Sequence, residues 1–375
     1  MRVLWLDPFH SGSHRSVAQG YAAHSAHQVT VLGLPPDGGW RWRMRGAALT
    51  FVRMIGERWG HQPLRQLFDV VVTTDMCDVA TLLGHGRRLF AGVPVVLYMH
   101  ENQLTYPLPA ERKLDLTWPW LNYTAALSAD MVLFNSNFHR EEFLRALPSL
   151  SRRFHDFHET ELVDQIAAKS HVCFPGIDLR RFDATIALTS PGTEQAPLVV
   201  WNSRWDYDKQ PTLFLQAMEA VMQAGVPVRL AMLGEYVDPH HTVFAEFRQR
   251  LAPITEHWGF VADAQSYQRY LVQADVVVSA AIQEFFGIAV LEAAYCGAVP
   301  LLPRRLAYPE LVPPAWHEWC LYERDELLVP ALRAALQRPR PLARSLLRTW
   351  AARFDWQQMA PEYDAKIAHC VALNG

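Results

Sequence analysis

The feature that most constrains this chain is a rhythm of short apolar runs. Runs rich in β-branched residues recur at 3–6, 28–32, 69–73, 94–99 and 131–135, each bounded by polar or Gly/Pro punctuation. Runs of this length between such breakers are expected to be strands, and most of the intervening stretches are long enough for helices. That alternation predicts an α/β protein built on a parallel sheet wound with helices. The rhythm repeats at 198–202, 228–233, 257–261, 275–279 and 299–303, so two similar halves are expected, not one long sheet. A length of 375 residues leaves room for two real cores. Between the halves lie residues 173–183, CFPGIDLRRFD, and 189–197, TSPGTEQAP, whose Pro and Gly mark the expected hinge. The predicted domains are 1–176, 177–350 and a helical tail, 351–375, that begins just before the helical pattern at 353–367.

Charge narrows the function. The 35 Lys plus Arg against 38 Asp plus Glu give −3, which excludes a uniformly basic surface for non-specific nucleic-acid binding. Any RNA partner must meet a local patch. Five scattered Cys without a C-x-x-C pair fit neither a disulfide framework nor a zinc site. The first apolar run breaks at Asp7, and no run approaches the roughly 18 residues that span a bilayer. A cytoplasmic protein without a membrane partner is expected; nothing in the sequence speaks to oligomeric state.

In open α/β sheets ligands bind beyond the carboxyl ends of strands, so chemistry is expected in the loops that follow them. Residues 279–300, SAAIQEFFGIAVLEAAYCGAVP, place Glu284, Phe286, Gly287 and Ile288 between a strand end and a helix whose second turn holds Glu292. The helix start offers free N–H groups and a positive dipole end to an anionic diphosphate, while Gly287 allows close backbone approach. Two carboxylates beside an anion site make sense as acceptors from neutral hydroxyls; by themselves, acids near a helix start are ordinary. Residues 201–211, WNSRWDYDKQP, put Arg204 and Lys209 on another post-strand loop, suited to neutralising a departing phosphate. Asp206 and Asp208 between them form an Asp-x-Asp pattern, but the neighbouring cations already supply the charge a metal would bring, and no essential metal is expected. The run HDFHETE at 155–161 has the spacing of an exposed polar helix and is likewise not expected to hold a metal.

Taken together, Glu-x7-Glu with Phe-Gly behind the first Glu, the Arg…Lys loop and Pro-Gly-Ile-Asp at 175–178 resemble the retaining glycosyltransferases of family four, which have the GT-B fold. Residues 6–17, 40–49, 99–107 (MHENQLTYP), 204–209 and 284–311 resemble, more narrowly, the tRNA-queuosine mannosyltransferases, without the long insertion that some animal members carry. The resemblance implies two facing Rossmann-like domains, the tail crossing back onto the first. It implies mannose transfer from GDP-mannose to the cyclopentene diol of queuosine in tRNA, at the wobble position of an aspartate tRNA. Glu284 and the backbone at Phe286, Gly287 and Ile288 would hold the sugar and distal phosphate. Glu292 would hold the ribose, Arg204 and Lys209 the diphosphate, and the backbone of Phe260 and Val261 the base. His100 would contact the sugar, and Gly12 and Ser13 would lie against the diphosphate. His14, Glu101 and Asn102 would face the acceptor. Same-face attack, with the leaving phosphate helping to take the acceptor proton, needs no dedicated nucleophile. On these roles Glu284→Ala or Lys209→Ala is expected to abolish transfer and leave folding intact.

Residues 1–60 hold seven Arg against three acids, densest where Trp40, Arg41, Trp42, Arg43 and Arg45 interleave, a pattern that suits unpaired bases and phosphates of a tRNA loop. Half-buried Trp with snorkelling Arg is the plainer alternative. The pairs Arg87-Arg88, Arg152-Arg153 and Arg304-Arg305 are individually weaker candidates for phosphate. Two other functions stay open on sequence alone, a same-fold transferase acting on an envelope polysaccharide or lipid-linked acceptor and a catalytically idle RNA-binding protein.

Overall fold

The computed structural model describes residues 1–108, 113–153, 156, 158–189, 195–235, 242–337 and 341–374. It forms two compact units, residues 1–177 with 356–375 and residues 178–355. The chain thus leaves the first unit at Ile177 and rejoins it at Trp356, five residues later than the tail boundary expected from sequence.

The first unit is built on β1 (Arg2–Asp7), β2 (Gln28–Gly33), β3 (Val70–Thr74), β4 (Val95–Met99), β5 (Met131–Phe134) and β6 (Ser170–Val172). They pair in the order β2-β1-β3-β4-β5-β6, all parallel. The central strands β3, β4 and β5 are buried along their whole length, which is why they show no polar alternation, the two threonines that end β3 being buried as well. One face of the sheet is covered by the Gly12–His24 and Trp356–Asn374 helices, which share a core with Trp5, Tyr21, Tyr98 and Tyr363.

The second unit carries β7 (Leu198–Trp201), β8 (Arg229–Met232), β9 (Thr255–Trp258), β10 (Val276–Val278), β11 (Val299–Pro303) and β12 (Leu321–Tyr322). Their order is β12-β11-β10-β7-β8-β9, again parallel. Ten of the strands fall where the apolar runs predict, although β9 lies two residues earlier than 257. The two unpredicted strands, β6 and β12, are short edge strands of three and two residues, whose pairing comes from the neighbour and not from their own composition.

Strand order determines where ligands fit. In the first sheet the winding reverses between β1 and β3, and in the second between β7 and β10. Loops leaving neighbouring strands in opposite directions open a crevice at such a switch point. The loops after β7 and β10 are those carrying Arg204, Lys209 and Glu284.

Candidate active site

In the second unit, the loop after β7 ends in a short turn, Tyr207–Lys209, started by Asp206 Oδ1 accepting the Tyr207 N–H at 2.8 Å. The carbonyl of Asp208 accepts N–H groups from Ile282 and Gln283, stitching this loop to the one after β10. Lys209 reaches across the same seam. Its Nζ donates to the Gln283 carbonyl and lies 3.3 Å from both Glu284 Oε2 and Asp208 Oδ2. Burial works against the charged amine, but the Glu284 and Asp208 carboxylates outweigh it and hold the ammonium above its ordinary value. The Asp-x-Asp pattern therefore splits, Asp208 facing Lys209 and Asp206 capping its own turn 3.8 Å from Arg204. Arg204 itself is exposed.

Glu284 turns its other oxygen to the Phe286 N–H at 3.5 Å, and the Ile288–Tyr295 helix begins at Gly287 with φ +115°. A side chain there would be strained and would press on the Tyr308 ring at 3.3 Å. Tyr308 is fixed in turn by Ser279, hydroxyl to hydroxyl at 2.7 Å.

Glu292 is buried, and both its oxygens are engaged, Oε1 by the Arg181 guanidinium at 2.6 Å and Oε2 by the Tyr267 hydroxyl at 2.5 Å. Burial pushes its carboxyl up from the ordinary range, opposed by the Arg181 charge and the Tyr267 hydrogen bond. Asn202, at the end of β7, donates to the same Tyr267 oxygen at 2.8 Å. Arg181, Asn202 and Tyr267 carry no signal in the sequence, because three separate segments bring them together.

These side chains wall a cavity of about 390 Å³ that also meets Arg204, Glu235, Phe260 and Val261. Gly234 lets two lining loops meet, since a Cβ there would fall 1.5 Å from the Ser203 carbonyl oxygen. Phe260 and Val261 lie in the loop beyond β9, with the Phe260 ring 65% exposed. A second recess of about 190 Å³ lies at the opposite end of the sheet among Pro197, Val276, Val299, Leu321 and Ala335, and among the described residues its only charged lining groups, Asp275 and Glu318, are acids that would repel a diphosphate. Arg304 and Arg305 do not offer themselves to phosphate. Arg304 pairs with Glu323, and Arg305 pairs with Asp325 while donating to the carbonyls of Ala280 and Ala281.

In the first unit, the loops after β1, β3 and β4 meet at the switch point. Gly12, with φ +50°, and Ser13 are exposed at the start of the Gly12–His24 helix. His14 points inward, and its ring packs against that of His100 with centroids 4.0 Å apart and planes tilted by 34°. Burial pulls both imidazoles below their ordinary value, against the Asp7 charge at His14 and with the help of His14 and His139 at His100, which lies well below it, so the neutral form is favoured in both rings. Among the described residues, His14 Nδ1 and His100 Nε2 are buried without a hydrogen-bond partner. Asp75, at the end of β3, accepts the His100 N–H at 2.7 Å, and burial and the Glu101 charge raise its carboxyl well above the usual range. Asn135 donates to the His100 carbonyl and is itself bonded to His139.

The expected acceptor-side residues divide here. Glu101 is half-buried and accepts from Gln103. Asn102 does not face outward. It is 1% exposed, and its amide oxygen accepts the Leu104 and Thr105 N–H groups while its nitrogen donates to Thr105, so it shapes the loop from within. The Arg-Trp run starts the Trp40–Trp59 helix. Trp40 is half-buried against Trp118, Arg43 donates to the Asp37 carbonyl, and Arg41, Trp42 and Arg45 are exposed. Of the run at 155–161, His155 and Phe157 lie outside the described residues. Among the described residues no three His, Cys, Asp or Glu side chains group as a metal site, all five cysteines are free buried thiols, and no helix is long and apolar enough to cross a membrane.

Solved structures with this architecture include sucrose-phosphate synthase from Thermosynechococcus elongatus, with a TM-score of 0.72 at 17% identity over all of both chains. The catalytic domain of starch synthase IV from Arabidopsis thaliana has a TM-score of 0.71 at 12% identity over 99% of each chain. Residues 196–338 match the family of glycosyl transferases group 1. The fold is that of a GT-B glycosyltransferase, an enzyme that moves a hexosyl group. Residues 2–177 match the N-terminal domain of the tRNA-queuosine alpha-mannosyltransferases, and the enzyme of that name from Drosophila melanogaster is 29% identical over 83% of this chain and 81% of its own length. The chain is a GT-B glycosyltransferase whose first unit is similar to that of the tRNA-queuosine alpha-mannosyltransferases. A GDP-mannose-dependent alpha-(1-6)-phosphatidylinositol dimannoside mannosyltransferase from Mycobacterium tuberculosis is 27% identical over 87% of this chain and 78% of its own.

Proposed function

We propose that this protein transfers mannose from GDP-mannose to the cyclopentene diol of queuosine in tRNA, at the wobble position of the aspartate tRNA, in the cytoplasm and with retention of anomeric configuration. The observation that carries the reading is the match of residues 2–177, the whole first sheet, to a domain particular to queuosine mannosyltransferases. The donor assignment leans on two relatives whose names specify mannose, one of them GDP-mannose.

The second unit supplies what departure of a nucleoside diphosphate demands. Negative charge grows on the leaving phosphate as the glycosidic bond breaks, and fixed cations and N–H groups stabilise it without reorganising. Lys209 is held by Glu284 and the Gln283 carbonyl, Arg204 stands at the mouth of the 390 Å³ cavity, and the Ile288–Tyr295 helix presents its positive end after Gly287. Glu284 takes the sugar hydroxyls and the Phe260–Val261 loop the base, while Glu292, with both oxygens engaged, serves the ribose side by fixing the cavity residues Arg181 and Tyr267. Neutral His100 and His14 offer unpaired ring nitrogens, suited to sugar and acceptor hydroxyls. With Arg204 and Lys209 in place, no metal is assigned a role.

Incubating purified protein with queuosine-containing tRNA and a panel of sugar nucleotides, followed by mass spectrometry of the digested nucleosides, tests the proposal. Queuosine carrying one added hexose with GDP-mannose alone is the expected product. Unchanged queuosine, with a hexose appearing instead on added polyprenyl or phosphoinositide acceptors, would place the enzyme with the lipid-directed relatives.

A further inference from the structure

Trp42 is 60% exposed, yet its ring has a seat. The indole lies along its own helix over Gly46, where a Cβ would come within 2.9 Å of Cε2. Gly46 is buried, so any other residue at this place would lift or tilt the ring. Arginines flank it. Arg41 stacks its guanidinium 4.3 Å from the centre of the Trp40 ring, and Arg45, one turn on from Trp42, stacks 4.8 Å from Trp118. Among the described residues neither Arg is in an ion pair; Asp115, whose charge feels both, is held by the Thr117 N–H. The flanking indoles belong to a small cluster with Met44, Met76 and Phe9, and the Phe9 ring stands 6.2 Å from that of His14. The helix that carries the exposed ring is thus packed, through Trp40 and Met44, on the cluster that borders the buried histidine pair.

A large aromatic face exposed to water on a helix that also presents two exposed arginines is complementary to a planar, π-faced, anionic ligand. We propose that Trp42 is a stacking platform for an unpaired base of the acceptor RNA, with Gly46 as its seat and Arg41 and Arg45 holding the phosphates on either side. The inference rests on the reading of the acceptor as RNA. Stacking requires a base free of its own neighbours, so the surface selects loops over paired stems.

The test uses the full chain and two unmodified RNAs, a hairpin with a seven-nucleotide loop and a fully paired duplex of the same length, with binding followed by fluorescence anisotropy over a salt series. Trp42→Ala should weaken hairpin binding by about five- to a hundredfold, the range of one lost stacked base, and leave duplex binding unchanged. Trp42→Phe should recover most of the loss, and Gly46→Ala should imitate Trp42→Ala with the indole still present. Replacing Arg41 and Arg45 by Gln should lower the salt slope by roughly 1.4, about 0.7 for each phosphate contact to a single strand. Hairpin binding by Trp42→Ala equal to that of the unaltered protein overturns the platform, as does an equal loss for hairpin and duplex. Unaltered protein that binds the hairpin but never glycosylates queuosine tRNA defeats the functional reading and leaves the platform standing. Unaltered protein that binds neither RNA defeats both.

Discussion

Lys209 and Glu284 show how a role assigned from sequence changes once neighbours are known. As loop residues they are interchangeable casualties of mutation, each expected to stop transfer and spare the fold. Their surroundings separate them. Lys209 is the cation facing the buried Asp208 carboxylate, and removing one partner of a buried pair costs about 3–5 kcal/mol. Lys209→Ala should therefore lower both the transfer rate and the melting temperature, whereas Glu284→Gln, which keeps the shape and sheds the charge, should lower kcat by about a hundredfold or more with little thermal shift. Equal melting temperatures for the two variants would contradict this. Glu292 follows the same logic. Arg181→Ala leaves a buried carboxylate facing only the Tyr267 hydroxyl and should destabilise the second unit by about 3 kcal/mol, read by denaturant unfolding.

At the scale of elements, the Trp356–Asn374 helix is fastened by shape and by one carboxylate. Trp356 fits against two glycines from different parts of the chain; a Cβ at Gly20 would lie 2.0 Å from its Nε1 and one at Gly176 2.3 Å from its Cδ2. Asp364 accepts from the Tyr21 hydroxyl, Ser25 Oγ and the Ala26 N–H, which joins the helix to the end of Gly12–His24. Gly20→Ala should cost at least the 1–3 kcal/mol typical of overpacking, and Trp356→Ala roughly 3–5 kcal/mol, both measured by chemical denaturation. The helical pattern at 353–367 is plain in the sequence, but the two glycines that receive its Trp look like ordinary small residues until the tertiary contact is seen.

Across the whole molecule, buried imidazoles make stability depend on pH. Burial alone holds His139 down to about 3, and His14 and His100 are lowered as well. Below the ordinary value near 6.5 the unfolded chain takes up protons that these folded histidines refuse, so their contribution to stability is complete above pH 6.5 and is lost as pH falls. The raised Asp75 acts in the opposite sense, since the folded state keeps a proton that the unfolded chain releases. A comparison with His139→Gln isolates one group: its melting temperature should fall less between pH 7 and pH 5 than that of the unaltered protein. Metal removal is a second global test. With cations supplied by Arg204 and Lys209, transfer should be unchanged in excess EDTA, and loss of activity restored by Mg²⁺ would return Asp206 to consideration.

What the sequence determined by itself was local and periodic. Ten apolar runs became ten strands, Gly287 marked a helix start, and the motifs around Glu284, Lys209 and His100 fell in post-strand loops, because burial in a parallel sheet and backbone sterics act on residues near in sequence. What the tertiary structure decided was pairing. Strand order made the two switch points, β6 and β12 took their conformation from a neighbour, and Arg181, Asn202 and Tyr267 converged on Glu292 from separate segments. Asn102 turned inward because its loop needed its amide, and Trp42 stayed outside because Gly46 gave it a seat. Hydrogen bonds and close packing join atoms that are near in space, and in a wound sheet such neighbours come from distant parts of the chain.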